Sequence, residues 1–381
     1  MRLSLSEKLM QKPDARKKLF LEQQRRAGWS SCHVATEIGQ ANYEHQCQSR
    51  IDELVSAARQ GSSDSSQGML YNLPTEGLQI GKYVNASHYN DGLFSTVYKA
   101  VAPEPTTLGN SSSRLVALKV TTPSLMTPPH DSVRECRILA EASASNIIPL
   151  VEHFKQAGGR LILVFPFMPF GLDEILQQQT IPSARGKKYL RDILNGLTHL
   201  HSIGIIHRDI KPSNILLQSL DGPAFIADFG ISWSPNDPSS EPVDQKILDV
   251  GTTCYRPPEL LFGNSKYSTS LDMWAYGCVA AQIVCLGDQT LFDSGEVGSD
   301  LALVKSVFQS LGTPDLTTWP EAANFPDWGK MTFYDFPQRS WKELLPSAPE
   351  DARAFVSSFV KYESKDRLTA ADALKHPFLI S

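Results

Sequence analysis

The sequence predicts an α+β protein in which a small sheet-forming part precedes a larger helical part, and three observations carry this. Strand-like segments cluster early, at Lys82–His88, Ser95–Val101 and Leu115–Val120. A helical period follows, with Leu190, Ile193, Leu194 and Leu197 recurring between Lys187 and His201. The two regimes come one after the other, strands first and helices second, which gives a small sheet lobe and a larger helical lobe.

Residues 1–60 are polar and carry a basic cluster of Lys12, Arg16, Lys17, Lys18, Arg25 and Arg26, interrupted by Asp14 and Glu22. That mixture reads as a solvated helix face, with a nuclear-import or docking patch as the alternative. Residues 61–68 are rich in Gly and Ser and read as a linker. Residues 1–70 are therefore expected to form an N-terminal extension, disordered or helical in part. The folded unit is expected from about Tyr71, with no internal repeat. Pro103–Arg114, rich in Pro, Ser, Thr and Gly, reads as an exposed loop. A short helix is expected at Ser132–Ala142. The unbroken apolar run Leu161–Phe165 is expected to be a buried strand. Ser270–Cys285 is apolar on nearly all sides and should be a deeply buried helix.

The 381 residues are 41% hydrophobic, enough for a sizeable core. A net charge of −5 argues against nucleic acid as the main partner. Cys32, Cys47, Cys136, Cys254, Cys278 and Cys285 form no CxxC pair, which suits reduced thiols better than a disulfide framework or a zinc site. The N-terminus lacks a signal-peptide core and no apolar run approaches membrane-spanning length. The expectation is a soluble protein of the nucleus and/or cytoplasm, with no membrane partner.

The most informative string is His207-Arg208-Asp209-Ile210-Lys211-Pro212-Ser213-Asn214. It resembles the catalytic loop of protein kinases, H-R-D-x-x-x-x-N, without a mismatch. The resemblance implies a two-lobed kinase fold, a small β-rich lobe at 80–167 and a helical lobe at 168–379, using ATP and Mg²⁺. Asp209 would accept the proton of the attacking hydroxyl, and Asn214 would turn back to ligate Mg²⁺. Lys211 would balance the charge of the transferred phosphoryl group, as in the serine/threonine class. Asp228-Phe229-Gly230 follows at the kinase distance, with Asp228 as the second metal ligand.

Val116-Ala117-Leu118-Lys119 resembles the V-A-I-K strand, so Lys119 would hold the α- and β-phosphates. Glu135 is the candidate to orient it, and Glu141 is the rival. Asn90 to Val97 aligns with the glycine-rich loop but keeps only its middle glycine, Gly92. Asn90 tolerates left-handed geometry, Ser95 adds a side chain where glycine is usual, and Val97 would cover the adenine. Phe165-Pro166-Phe167-Met168 resembles the gatekeeper and hinge, with backbone near Phe167 and Met168 meeting the adenine edge. The implied nucleotide site is Asn90, Gly92, Val97, Ala117, Lys119, Phe165, Phe167 and Met168.

Cys254-Tyr255-Arg256-Pro257-Pro258-Glu259-Leu260-Leu261-Phe262-Gly263 is similar to the W-Y-R-A-P-E-L-L-x-G of cyclin-dependent kinases. So are Leu311-Gly312-Thr313-Pro314-Asp315, with Trp319-Pro320, and the closing His376-Pro377-Phe378-Leu379. The resemblance implies a buried Glu259–Arg367 ion pair, and Asp272 bracing the catalytic loop. It also implies that Thr252 hydrogen-bonds Asp209 and Lys211. Where these kinases carry an activating threonine, this sequence has Ile247, with nothing phosphorylatable within one residue. Arg208, the usual phosphate receiver, is then expected to meet Asp244 or Asp249, although both could equally be solvated loop acids.

Missing loop glycines together with a missing activating threonine resemble the fungal monomeric CDK-activating kinases. That implies a monomer acting on another cyclin-dependent kinase. Two other readings stay open: a cyclin-dependent kinase that needs a cyclin, and a pseudokinase scaffold suggested by the eroded glycine loop.

Overall fold

The computed structural model describes residues 77–108, 111–178 and 181–380. The extension at 1–70, with its basic cluster, Cys32 and Cys47, lies outside the described residues.

A six-stranded sheet comprises β1 (Leu78–Ile80), β2 (Tyr83–Asp91), β3 (Ser95–Leu108), β4 (Ser111–Thr121), β5 (Glu152–Gln156) and β6 (Arg160–Pro166), in the order β1-β2-β3-β4-β6-β5. Side chains alternate across a strand. On β4, Val116 and Leu118 are wholly buried against Ala100, Ile162 and Val164. Ala117 and Lys119 therefore belong to the opposite face. Cross-strand partners share a face, and the register pairs Val97 with Lys119 and Ala117 with Phe165. One sheet face thus carries Val97, Ala117, Lys119 and Phe165.

The structure corrects the expected loop at Pro103–Arg114. β3 and β4 run on as a long hairpin, pairing Thr106 with Ser113, Thr107 with Ser112 and Leu108 with Ser111. The register shifts between Val101 and Thr106, the stretch that holds Pro103 and Pro105. Prolines are tolerated at such an irregularity because no ladder donor is required of them there.

Helix α1 (Ser132–Glu141) begins at Asp131, whose carboxylate accepts from the amides of Val133 and Arg134 at 2.9 Å each. Then come α2 (Leu172–Gln178), α3 (Ser183–Ser202), α4 (Pro258–Leu261), α5 (Ser270–Ala281) and α6 (Asp300–Leu311). The leucine stripe of α3 is fully buried. At Gly196 a Cβ would lie 2.8 Å from Ile226 and 3.0 Å from the Asn146 carbonyl, so glycine is what lets α3 pack this closely. The expected helix at Ser270–Cys285 is α-helical only to Ala281, then widens into a π-helical turn at Gln282–Leu286. Its burial from Leu271 to Ala281 is as predicted.

A small sheet, β7 (Phe170–Gly171), β8 (Ile215–Leu217) and β9 (Ala224–Ile226), lies beside α2 and α3. Ile215 pairs with Ile226, and the Ala227 amide donates to the Asn214 carbonyl at 2.9 Å. This hairpin brings Asn214 and Asp228 together at its open end, which is the physical reason for their spacing in sequence. Deeper in the helical part, the Arg367 guanidinium grips Glu259 with two bonds of 2.6 and 2.7 Å, both side chains fully buried.

Candidate active site

Lys119, on β4, donates to both Glu135 oxygens at 2.6 and 2.9 Å and to Asp228 Oδ1 at 2.8 Å. Glu135, not Glu141, is therefore the partner. Burial works against the Lys119 charge, but the Asp228 and Glu135 carboxylates outweigh it and hold the ammonium above its usual range. The same lysine holds Asp228 well below the usual carboxylate range. Half of the Asp228 side chain remains open, and its backbone takes the left-handed region at φ 64°. Phe229 is buried with its ring on His207, centroids 4.8 Å apart. Gly230 lies so close that a Cβ would sit 3.3 Å from Asp228 Oδ1 and 3.6 Å from Glu135.

Asp209 lies at the centre of a second cluster. Its Oδ1 accepts from the Thr252 amide at 3.0 Å and the Thr252 hydroxyl at 2.9 Å. Lys211 Nζ reaches Asp209 Oδ2 at 2.9 Å and Thr252 Oγ1 at 2.8 Å. Asn214 Nδ2 donates to the Asp209 carbonyl at 2.8 Å and to Oδ2 at 3.1 Å. With its amide nitrogen committed, Asn214 has its carbonyl oxygen as the donor atom for a cation. The loop is braced from below by Asp272, wholly buried, which accepts from the amides of His207 and Arg208 at 2.9 Å each. His201 also bonds it, at 2.9 Å. These bonds support the left-handed φ of 72° at Arg208, costly for a residue with a Cβ.

Of the residues expected at the nucleotide, Val97, Ala117, Lys119 and Phe165 share one sheet face, as the register requires. Met168 is buried just beyond β6. The Phe167 amide donates to the Leu115 carbonyl at 3.2 Å, so that N–H is committed to the sheet and not to an adenine edge. Asn90 lies near the end of β2, and Gly92 in the turn that follows.

The activation segment, the stretch between Gly230 and Glu259 that holds Ile247 and Thr252, corrects one expectation. Arg208 meets neither Asp244 nor Asp249. It makes a two-pronged pair with Glu241, Nη2 to Oε2 at 2.9 Å and Nη1 to Oε1 at 3.2 Å. Asp249 is taken by the nearer Arg256 at 2.5 Å, and the Asp244 carbonyl accepts from Ser265. Burial pushes the Glu241 carboxyl up, but the bonds from Arg208 hold it below its usual range. Ile247 packs on the cluster of Ile206, Ile231, Trp233, Val250, Leu260, Tyr267 and Leu271, and its carbonyl accepts from the Tyr267 hydroxyl at 2.7 Å. An apolar anchor thus occupies the position expected for a phosphorylated side chain. Glu241 escaped the sequence reading because it lies upstream of the aligned position, in a Ser-Ser-Glu-Pro run without a periodic signal.

The site fits Mg²⁺ and ATP by its donor chemistry: an ionised, half-open carboxylate at Asp228, an amide oxygen at Asn214 and a charged lysine at Lys119. Among the described residues no cluster of three or more His, Cys, Asp or Glu could hold a metal ion alone. A magnesium ion here would therefore depend on phosphate oxygens as well.

The protein kinase domain family matches the chain over residues 83–379. The chain is 35% identical over 282 residues to serine/threonine-protein kinase csk1 of Schizosaccharomyces pombe, covering 73% of this chain and 88% of that protein. It is 32% identical over 255 residues to cyclin-dependent kinase 20 of Danio rerio, covering 66% and 72%. It is 32% identical over 252 residues to cyclin-dependent kinase 7 of Dictyostelium discoideum, covering 66% of each.

Proposed function

The chain belongs to the protein kinase family, and within it we propose a CDK-activating enzyme that works unphosphorylated and without a cyclin. It is a serine/threonine protein kinase of the cyclin-dependent type, and its domain uses ATP, typically with Mg²⁺. Its proposed substrate is the activation-segment threonine of another cyclin-dependent kinase. We assign the catalytic domain to residues 80–379, preceded by the extension at 1–70, in a monomer of the nucleus and/or cytoplasm. No helix among the described residues is long and apolar enough to cross a membrane.

The proposed chemistry assigns one task to each residue. Asp209 accepts the proton of the substrate hydroxyl, its carboxylate aimed by Thr252 and Asn214. Lys211, bonded to both Asp209 and Thr252, places positive charge beside the group in transfer. Lys119, oriented by Glu135, holds the α- and β-phosphates. Asp228 and Asn214 would hold Mg²⁺, which neutralises charge on the phosphates when bound. Val97, Ala117 and Phe165 line the adenine side, with Met168 at the hinge.

The observation that carries the reading is the Arg208–Glu241 pair. A carboxylate of the chain itself neutralises the buried arginine, so no phosphate is needed to assemble the segment that bears Thr252. The test uses the purified, phosphatase-treated chain, Mg-ATP and a kinase-dead cyclin-dependent kinase as substrate. Phosphate should appear on the substrate's activation-segment threonine, vanish when that threonine is alanine, and be indifferent to added cyclin. Activity that arises only after cyclin addition or prior phosphorylation would overturn the reading.

A further inference from the structure

Beyond Glu241, the activation segment is tied to helix α1 along most of the helix's length. Arg137 Nε donates to Asp237 Oδ2 at 2.6 Å, and Arg137 Nη2 to Asp237 Oδ1 at 3.0 Å. The same nitrogen reaches Ser239 Oγ at 3.0 Å, and that hydroxyl lies between the carboxylates of Asp237, at 2.8 Å, and of the N-cap Asp131, at 3.0 Å, with one proton to share. Arg134 reaches the Ser239 carbonyl at 3.4 Å. At the far end, Glu141 accepts from Asn236 Nδ2 at 2.7 Å and from Ser234 Oγ at 3.1 Å. Arg134, Arg137 and Glu141 follow one another at helical spacing, so one stripe of α1 faces the segment. Glu135 lies on the adjoining stripe, against Lys119.

This arrangement bears on how the site is kept assembled. The Lys119–Glu135 contact exists only if α1 is held in register with β4. A helix so short does not hold its place through its own backbone bonds and depends on what packs around it. The Asp237 side chain is 3% exposed while Arg137 is 42% exposed, so the arginine covers a carboxylate on its solvent side. Burial pushes its carboxyl up, but the bonds from Arg137 and Ser239 hold it down to about 2.

We propose that Arg137 and Asp237 are positioning residues, whose ion pair latches the activation segment to α1 and keeps Glu135 on Lys119 without help from a second protein. The proposal rests on the reading of a partner-independent kinase and names the internal device that makes it so. It also assigns Glu141, set aside as a partner for Lys119, to the far end of the same latch.

The full-length protein would be tested as Arg137→Ala, Asp237→Ala, the double variant and Arg137→Lys. Two readouts are needed: steady-state phosphorylation of a generic serine/threonine peptide, and hydrogen exchange of residues 132–141. Arg137→Ala and Asp237→Ala should each lower kcat by about ten- to a hundredfold, the scale of loss when a catalytic group is misplaced by an ångström or so. Peptide KM should change little, and exchange in 132–141 should rise while α3 and α5 keep their protection. The double variant should be no worse than the single ones, and Arg137→Lys should recover much of the activity. Arg137 is on the helix surface and 42% exposed, so its alanine variant tests the latch even if Asp237→Ala folds poorly. Loss of kcat in Asp237→Ala with wild-type kcat and exchange in Arg137→Ala would reduce Asp237 to a loop-turn residue and overturn the proposal. Unchanged kcat in both would do the same. Neither readout uses a cyclin-dependent kinase as substrate, so failure of the wild type on that substrate would sink the proposed function and leave the latch to be judged separately.

Discussion

The guanidinium of Arg208, with no exposed side-chain surface, is closed by the carboxylate of Glu241 through two bonds of 2.9 and 3.2 Å. Arg208 adjoins Asp209, and Glu241 belongs to the segment that delivers Thr252 to the same Asp209, so the pair ties the two sides of the Asp209 cluster together. Glu241→Ala would leave a buried arginine uncompensated, a loss on the order of 3–5 kcal/mol for such pairs. The variant should show a strongly reduced kcat and early proteolysis within residues 234–250, and phosphatase treatment should leave the wild type unchanged. Glu241→Gln, which keeps a hydrogen-bond acceptor, should fall between the two.

Asp209→Asn keeps the shape of the side chain and removes its capacity to take a proton. Peptide phosphorylation should fall by about a hundred- to ten-thousandfold, the usual worth of a positioned general base. Thermal unfolding should stay close to wild type, because Asp272, and not Asp209, holds the loop backbone.

Gly230→Ala probes the contact between the Lys119 cluster and the backbone beneath it. The new Cβ would lie 3.3 Å from Asp228 Oδ1 and 3.7 Å from Lys119 Nζ. Asp228 must shift by a few tenths of an ångström, so KM for Mg-ATP should rise several-fold while the urea midpoint barely moves. Isothermal titration with a non-hydrolysable ATP analogue would check this directly.

Asp237 gives a pH signature. Its folded value of about 2 lies below the ordinary aspartate value of roughly 3.9. Its contribution to stability is therefore complete above that ordinary value and drains away as pH falls toward 2. The stability difference between wild type and Asp237→Asn should be constant above about pH 5 and shrink steadily below about pH 4. Urea titrations at half-unit pH steps would test this.

Glu259 and Arg367 are buried together, with Arg367 also 5.0 Å from the Trp274 ring. Either single alanine variant should lose about 3–5 kcal/mol of stability. The double variant should lose less than the sum, because removing both leaves no unpaired charge. Chemical denaturation of the three variants measures the coupling.

The sequence by itself named the candidates through its resemblance to kinases: Lys119, Glu135 with Glu141 as its rival, Asp209, Lys211, Asn214, Asp228 and Thr252. The spacing of Asp209 and Asn214 is legible because one local turn sets it, and that of Asn214 and Asp228 because the β8–β9 hairpin does. Only the tertiary structure decided how the ensemble is held. A loop acid's position along the chain does not fix which arginine it will meet, so Asp244 and Asp249 were the acids expected for Arg208 and Glu241 was overlooked. Folding gave Asp249 to Arg256, Glu241 to Arg208 and Asp237 to Arg137. It also turned Pro103–Arg114 into paired strand, because a backbone ladder asks little of side-chain identity. The switch position could be seen to be empty of a phosphorylatable residue from sequence alone. Which carboxylate meets Arg208 was decided by where residues 241–252 come to rest, with Ile247 packed into an apolar cluster and Glu241 against a buried charge.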